Sequence, residues 1–244
     1  MFGLDFSFLF QPAVGTETYF DWILEGLKWT VITSSLSWCL ALFCGTIVGI
    51  LRTLPNRFLN FIGASYVEAL RNVPIIVQLF FWFYVWPELL PKSLGQWIKD
   101  LDPHVQILTA GILCLGLFTS ARIAEQVRSG IQSLAGGQRN AALAMGFTLP
   151  QAYRYVIMPQ AFRIVIPPLT SELLNIFKNS AVLQTIGLME LSRQAAQIND
   201  YTAKAYESFI VITVIFIIIN VLLMWGMRFI EVKTKIPGLI SGGH

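Results

Sequence analysis

Between Lys28 and Arg52 the chain runs for 23 residues without a charge, and between Glu207 and Arg228 for another 20. Each run is long enough to cross a hydrocarbon core as a helix. Residues 105–121 form a third uncharged run of 17 residues, at the short end of that range, and are read as a further span. Two more apolar regions are interrupted by charge. Residues 58–87 contain Glu68 and Arg71, and residues 164–189 contain Glu172 and Lys178. Both are too apolar to be solvated loops. An ionisable group at membrane depth is costly and faces a bundle interior or a wet cavity, so it marks function before it marks structure. The pattern predicts an all-α, polytopic membrane protein with five transmembrane helices.

Composition agrees. Only 13% of the residues are charged, against about 25% in a soluble domain, while 55% are hydrophobic and mean hydropathy is +0.63. The net charge of +3 is spread without a basic block, which argues against a nucleic-acid surface. Cys39, Cys44 and Cys114 lie in apolar stretches without metal-ligand spacing, and His104 and His244 are the only imidazoles. No metal site or disulfide framework is expected. The first residues lack the positive segment of a cleavable signal, so the first span is read as retained.

Basic residues give the orientation. Lys28, Lys92, Lys99, Arg193 and Lys204 flank the spans on one side, five in all. Arg52, Arg57, Arg122, Arg128, Arg139, Arg154, Arg163, Arg228, Lys233 and Lys235 make ten on the other. Cytoplasmic flanks are enriched in Lys and Arg, which places the N-terminus outside and the C-terminus inside. Trp22, Trp29, Trp86 and Trp97 fall at depths suited to interfacial anchors.

The longest hydrophilic segment is 122–163. Arg122, Glu125 and Arg128 recur every three residues, which favours a solvated helix extension laced by opposite charges. Gly136 and Gly137 then break the helix. The next run, from Gln138 to Met145, should be helical through Ala141, Ala142 and Ala144, and Gly146 suits a helix C-terminus. Thr148 with Gln151 fits a capping box that opens a second short helix, expected to stop before Pro159. An alanine-lined helix almost free of charge is either a docking surface or a piece packed under the bundle.

These residues carry a resemblance. Asn140-Ala141-Ala142-Leu143-Ala144-Met145-Gly146, with Pro159 thirteen residues on, resembles the EAA loop of ABC importer permeases: E-A-A, three residues, G, nine residues, I-x-L-P. Asn140, Val156 and Met158 depart from its glutamate, isoleucine and leucine. The segment from Glu125 to Ser133, Pro159-Gln160-Ala161-Phe162-Arg163, and Glu68-Ala69-Leu70-Arg71-Asn72-Val73-Pro74 are similar to the polar amino-acid branch of that family. The similarity runs over nearly the whole chain and is greatest to permeases that import glutamate and aspartate.

The resemblance implies a type I ABC importer permease fold in a bacterial inner membrane, divided into a periplasmic segment 1–28, a permease domain 29–230 and a cytoplasmic tail 231–244. It implies a second, homologous permease in a pseudo-two-fold heterodimer, two copies of a separate ABC ATPase, and a periplasmic amino-acid-binding protein. It places ATPase coupling on Gln138, Asn140, Ala141, Ala142, Met145, Gly146 and Pro159. No G-x-x-x-x-G-K-[ST] occurs, so the chain is read as a non-catalytic subunit that binds no cofactor, with ATP and Mg on the ATPase.

At 100° per residue, Glu68, Arg71, Asn72 and Gln78 share an arc of about 120° on the second span, and Glu172, Asn175, Lys178 and Asn179 share another of about 120° on the fourth. Pro74, and Pro167 with Pro168, should kink or break these helices beside their charges. The two stripes are read as a substrate cavity. Arg71 and Lys178 would meet the carboxylates of an acidic amino acid, and Glu68 or Glu172 its ammonium. The alternative is that Glu68 pairs with Arg71, and Glu172 with Lys178 or with the partner subunit, merely neutralising charge. A gradient-driven secondary transporter, or a permease for another polar amino acid such as glutamine or arginine, stays open at this point.

Overall fold

The computed structural model describes residues 4–134 and 136–234. A short 3-10 turn, Ser7–Phe10, and a two-stranded hairpin of β1 (Pro12–Val14) and β2 (Glu17–Thr18) lead into α1 (Tyr19–Leu51). Then come α2 (Arg57–Arg71), α3 (Ile75–Phe80), a π-turn (Phe81–Val85), α4 (Trp86–Leu89) and α5 (Lys92–Lys99). The long α6 (Pro103–Ser133) is followed by α7 (Gly136–Ala144), α8 (Leu149–Ala152), a second π-turn (Tyr153–Ile157) and α9 (Met158–Asn179). A 3-10 segment (Ser180–Ile186), α10 (Leu191–Thr202) and α11 (Ala205–Thr234) complete the described chain.

The three uncharged runs fall inside α1, α6 and α11, which among the described residues are the helices long and apolar enough to cross a membrane. The interrupted pair α2 and α3 to α4 counts as a fourth if its two parts make one span. Its break falls at Pro74, which stands as the N-cap of α3 because its ring cannot continue α2. Gln78 serves this break: its Nε2 donates to the carbonyl of Val73 at 3.0 Å. Pro167 and Pro168 lie within α9, which continues through them rather than breaking. Ala161, Val165, Leu169 and Leu173 are buried along one face of α9, and that packing holds the helix where two backbone donors are missing. Nor does the chain stop before Pro159. The π-turn Tyr153–Ile157 passes directly into α9, and its wider register, with Met158 N bonded to Tyr153 O, accommodates the ring one residue later.

The chain divides into two compact units. One comprises Met1–Leu40, Val73–Gly116 and Asn175–Val221, the other Ala41–Asn72, Leu117–Leu174 and Leu222–His244. In the first, Phe8, Tyr19, Trp22, Ile23, Leu191, Ala195, Ile198 and Ile212 form a core. Trp22 therefore packs inside, its Nε1 donating to Glu17, and is no interfacial anchor. Lys204 bonds Asp5 at 2.6 Å and holds its carboxyl well below the usual carboxylate range. This tether persists at neutral pH and is lost only as the pH falls below the range where an ordinary aspartate protonates.

In the second unit α1 lies tightly on α6. A Cβ at Gly45 would come within 2.7 Å of Ile123 Cβ and of the Ser120 carbonyl oxygen. Small residues permit this approach where helices meet in a membrane. Gly45→Val should therefore cost about 1–3 kcal/mol through overpacking, read as a lowered melting temperature in detergent. Phe43→Val, on a side chain 67% exposed, should leave that temperature nearly unchanged.

Residues 231–234 of the expected tail complete α11, while 235–244, with Lys235 and His244, lie outside the described residues, as do 1–3 of the expected N-terminal segment.

Candidate functional site

The chemistry converges in the second unit. Arg71, at the last turn of α2, Arg122, Glu125 and Gln126 on α6, and Glu172 on α9 line one cavity of about 310 Å³. That volume lies at the lower end of small-molecule sites, roughly 300–1,000 Å³. Glu172 is 8% exposed, and its carboxylate accepts from Gln126 Nε2 at 3.1 Å. A buried carboxylate requires such partners.

The charges in this cavity are not equivalent. Glu125 is bonded on one side by Arg52, from the turn after α1, and on the other by Arg128. Its negative charge is thus met by two guanidinium groups from outside the cavity lining. Arg71 and Arg122 form no ion pair among the described residues. The guanidinium of Arg122 lies over the Phe118 ring, 4.9 Å from its centroid, which orients it without consuming its charge. Two cations are therefore presented to one small cavity with a buried carboxylate beside them. A second cavity of about 400 Å³ shares Glu125 and Gln126 and continues along Ser129, Gly130, Ser133 and Pro168.

Of the residues expected to line a substrate cavity, the structure brings Arg71 and Glu172 together. Glu68 and Asn72 are exposed on the same helix end and do not line it. Gln78, Asn175, Lys178 and Asn179 belong to the other unit. The alternative, a Glu68 to Arg71 ion pair, is absent among the described residues. Arg122, Glu125 and Arg128 are expected on a solvated helix face, and here the expectation needs correction. Glu125 does pair with Arg128, three residues on, but Arg122 does not join that ladder, and Ala121, Ile123, Ala124 and Val127 on the intervening positions are buried. The available signal was the spacing of Arg122 and Gln126, which puts a cation and an amide one above the other on one helical face.

The other unit has an aromatic cavity of about 350 Å³ lined by Trp82, Tyr84 and Trp86 among others. Its charged groups, Glu88 and Lys99, bond each other at 2.9 Å, so it offers no unpaired ion.

The alanine run forms α7 as anticipated from propensity. Gly146, at φ +91°, closes it: its N–H donates to Leu143 O at 3.0 Å and that of Phe147 to Ala142 O at 3.1 Å. This is the Schellman pattern, in which the left-handed residue is most cheaply a glycine. Gln151 accepts from Thr148 N at 2.8 Å, as the capping box requires. Ala142 is 1% exposed and faces inward, whereas Asn140, Ala141, Leu143 and Ala144 are exposed and Met145 is 72% exposed. Gln138 is half-buried beneath the helix and Pro159 is exposed at the start of α9. One short helix thus carries a buried alanine and an exposed, mostly apolar surface whose one charge is Arg139.

Comparison with known proteins places these features in context. Residues 41–236 match the family described as binding-protein-dependent transport system inner membrane component. The chain is 52% identical over 236 residues, 96% of each chain, to the glutamate/aspartate import permease protein GltJ of Escherichia coli (strain K12). It is 31% identical over 216 residues, 88% of this chain and 94% of the other, to the probable glutamine ABC transporter permease protein GlnM of Bacillus subtilis (strain 168). Among solved structures, a crystal structure of an amino acid ABC transporter with histidines superposes with a TM-score of 0.74 at 28% identity, covering 88% of this chain and 95% of that one.

Proposed function

The chain belongs to the inner membrane components of binding-protein-dependent transport systems, and from that premise we propose that it carries acidic amino acids, L-glutamate and L-aspartate, from periplasm to cytoplasm. It is a non-catalytic permease subunit of an ABC importer in the bacterial inner membrane. The observation that carries the substrate reading is the pair Arg71 and Arg122, two guanidinium groups on one cavity that form no ion pair among the described residues. A dicarboxylate needs two such partners, and each charge-assisted bond is stronger than a neutral one. Glu172 supplies the negative charge that an α-ammonium requires. A glutamine would leave one guanidinium unmatched, and an arginine would place a third cation beside two, which is why the acidic substrates are preferred here. Lys178 is not needed in this arrangement.

In this reading the chain spans the membrane five times, through α1, the α2 to α4 region, α6, α9 with its 3-10 extension, and α11. Its N-terminus is periplasmic and its C-terminus cytoplasmic. It works beside a second permease in a pseudo-two-fold heterodimer, with two copies of an ATPase that hold ATP and Mg and with a periplasmic binding protein. The outward face of α7, from Asn140 to Met145, seats in the ATPase. Small side chains at Ala141 and Ala144 allow close approach, and the Schellman closure at Gly146 makes the connection stiff enough to transmit motion. ATP-driven closure of the ATPases moves α7 and switches the cavity between the two sides. The test is ATP hydrolysis by the reconstituted complex. Binding protein loaded with glutamate or aspartate should stimulate it, and the same protein with glutamine or arginine should not. Equal stimulation by a basic or neutral amino acid would overturn the substrate assignment.

A further inference from the structure

We infer that Glu125 is a gated charge, and that Tyr153 positions Arg52 to hold it closed. The inference rests on the importer reading above and assigns its cavity a control. Beneath α7 lies a cleft of about 270 Å³ lined by Gln138 and Arg139 of α7, Tyr153 and Ile157 of the π-turn, Thr53, and Ile131, Gln132 and Leu134. Two hydrogen-bonded routes lead from this cleft to the same carboxylate.

The first runs through the turn after α1. The buried hydroxyl of Tyr153 lies 2.9 Å from the carbonyl oxygen of Thr53, to which it donates, and 3.1 Å from Thr53 Oγ1. Thr53 Oγ1 itself donates to Ile50 O, and Asn60 Nδ2 donates to Arg52 O at 2.9 Å, so the turn is rigid. Arg52, the neighbour of Thr53, bonds Glu125. The second route runs along α6: Gln132, in the wall of the cleft, accepts from Arg128 at 2.6 Å, and Arg128 bonds Glu125.

Glu125 in turn lines the cavity that holds Arg71 and Arg122. While Arg52 and Arg128 hold it, its charge is matched and the two cavity guanidinium groups remain available to an anion. When movement of α7 draws Tyr153 and Thr53 away, Arg52 withdraws and the Glu125 carboxylate acts on the cavity. It then repels a bound dicarboxylate and competes for Arg122, which expels the substrate. A π-turn suits this task, because its widened register is a place where a helix shifts without unwinding.

The test uses the full complex with its ATPase and binding protein in proteoliposomes, and reads glutamate transported per ATP hydrolysed. Tyr153→Phe removes one hydroxyl and no volume, and should lower this ratio roughly 3- to 30-fold, the range of coupling changes along such networks. Glu125→Gln should do the same. The double variant should be no worse than the poorer single, because both act on one event. Arg52→Lys, which keeps the charge, should retain more of the ratio than Arg52→Gln, a contrast that a purely structural role for the turn does not predict. A wild-type complex that transports while Tyr153→Phe keeps its ratio, or a double variant whose losses multiply, removes the gate alone. A wild-type complex without ATP-dependent uptake of either acid removes the importer reading and the gate with it.

Discussion

Arg122→Gln is expected to cut the rate of glutamate uptake by the reconstituted complex roughly 10- to 150-fold, the equivalent of the 1.5–3 kcal/mol that a hydrogen bond to a charged group contributes. Glutamine keeps a donor but loses the charge and the reach of the guanidinium fork, so the loss reports both. Arg71→Gln should behave alike. Two cations acting on one dicarboxylate are coupled, so the double variant should not lose the product of the two factors. Folding is not the confounder here, because both residues are exposed and neither is in an ion pair among the described residues. The stacking of Arg122 on Phe118 contributes only about 0.5–1 kcal/mol at an exposed site. Lys178→Gln is the control, since Lys178 lies in the other unit and does not line the cavity. Uptake at the wild-type rate in Arg71→Gln and Arg122→Gln alike would show that the cavity does not bind substrate.

The second large effect is expected on α7. Met145→Glu places a carboxylate on a side chain 72% exposed, so it should not disturb this chain's own fold. It should nonetheless weaken association with the ATPase by about 30-fold or more, since truncating or charging a central interface residue costs 2 kcal/mol or more. The measurement is recovery of the ATPase with the tagged permease, followed by uptake. Ala142→Glu makes the contrast. That position is 1% exposed, and an unpaired buried carboxylate there should lower thermal stability before assembly is reached. If Met145→Glu assembles and transports normally, the outward face of α7 is not the docking surface.

How much of this was legible beforehand depends on how local each feature is. The uncharged runs that became α1, α6 and α11 needed only chain length and the absence of charge. The break at Pro74, the closure of α7 at Gly146 and the pairing of Thr148 with Gln151 are each fixed within a few residues, and the sequence carried them. What failed was decided across the fold. Arg52 and Glu125 are separated by 73 residues, and nothing in either neighbourhood announces the other. Helical arcs place Glu68, Arg71, Asn72 and Gln78 on one face, and likewise Glu172 and Lys178, yet an arc does not say which faces meet. Gln78 and Lys178 belong to the other unit, and the cation that lines the cavity beside Arg71 is Arg122 from α6. At Pro159 a π-turn leads directly into α9, and at Pro167 and Pro168 a buried helix face carries α9 on without a break. A position near a span end marks Trp22 as an anchor but says nothing of Phe8, Tyr19 and Leu191, which form a core with it.

The most direct measurement is uptake of labelled glutamate, aspartate, glutamine and arginine into proteoliposomes containing this chain with its co-purifying partners. Each is measured with and without ATP and with and without the binding protein. The account predicts uptake of glutamate and aspartate alone, and only when both ATP and the binding protein are supplied. Uptake that persists without ATP, or that is confined to a basic or neutral amino acid, would contradict it.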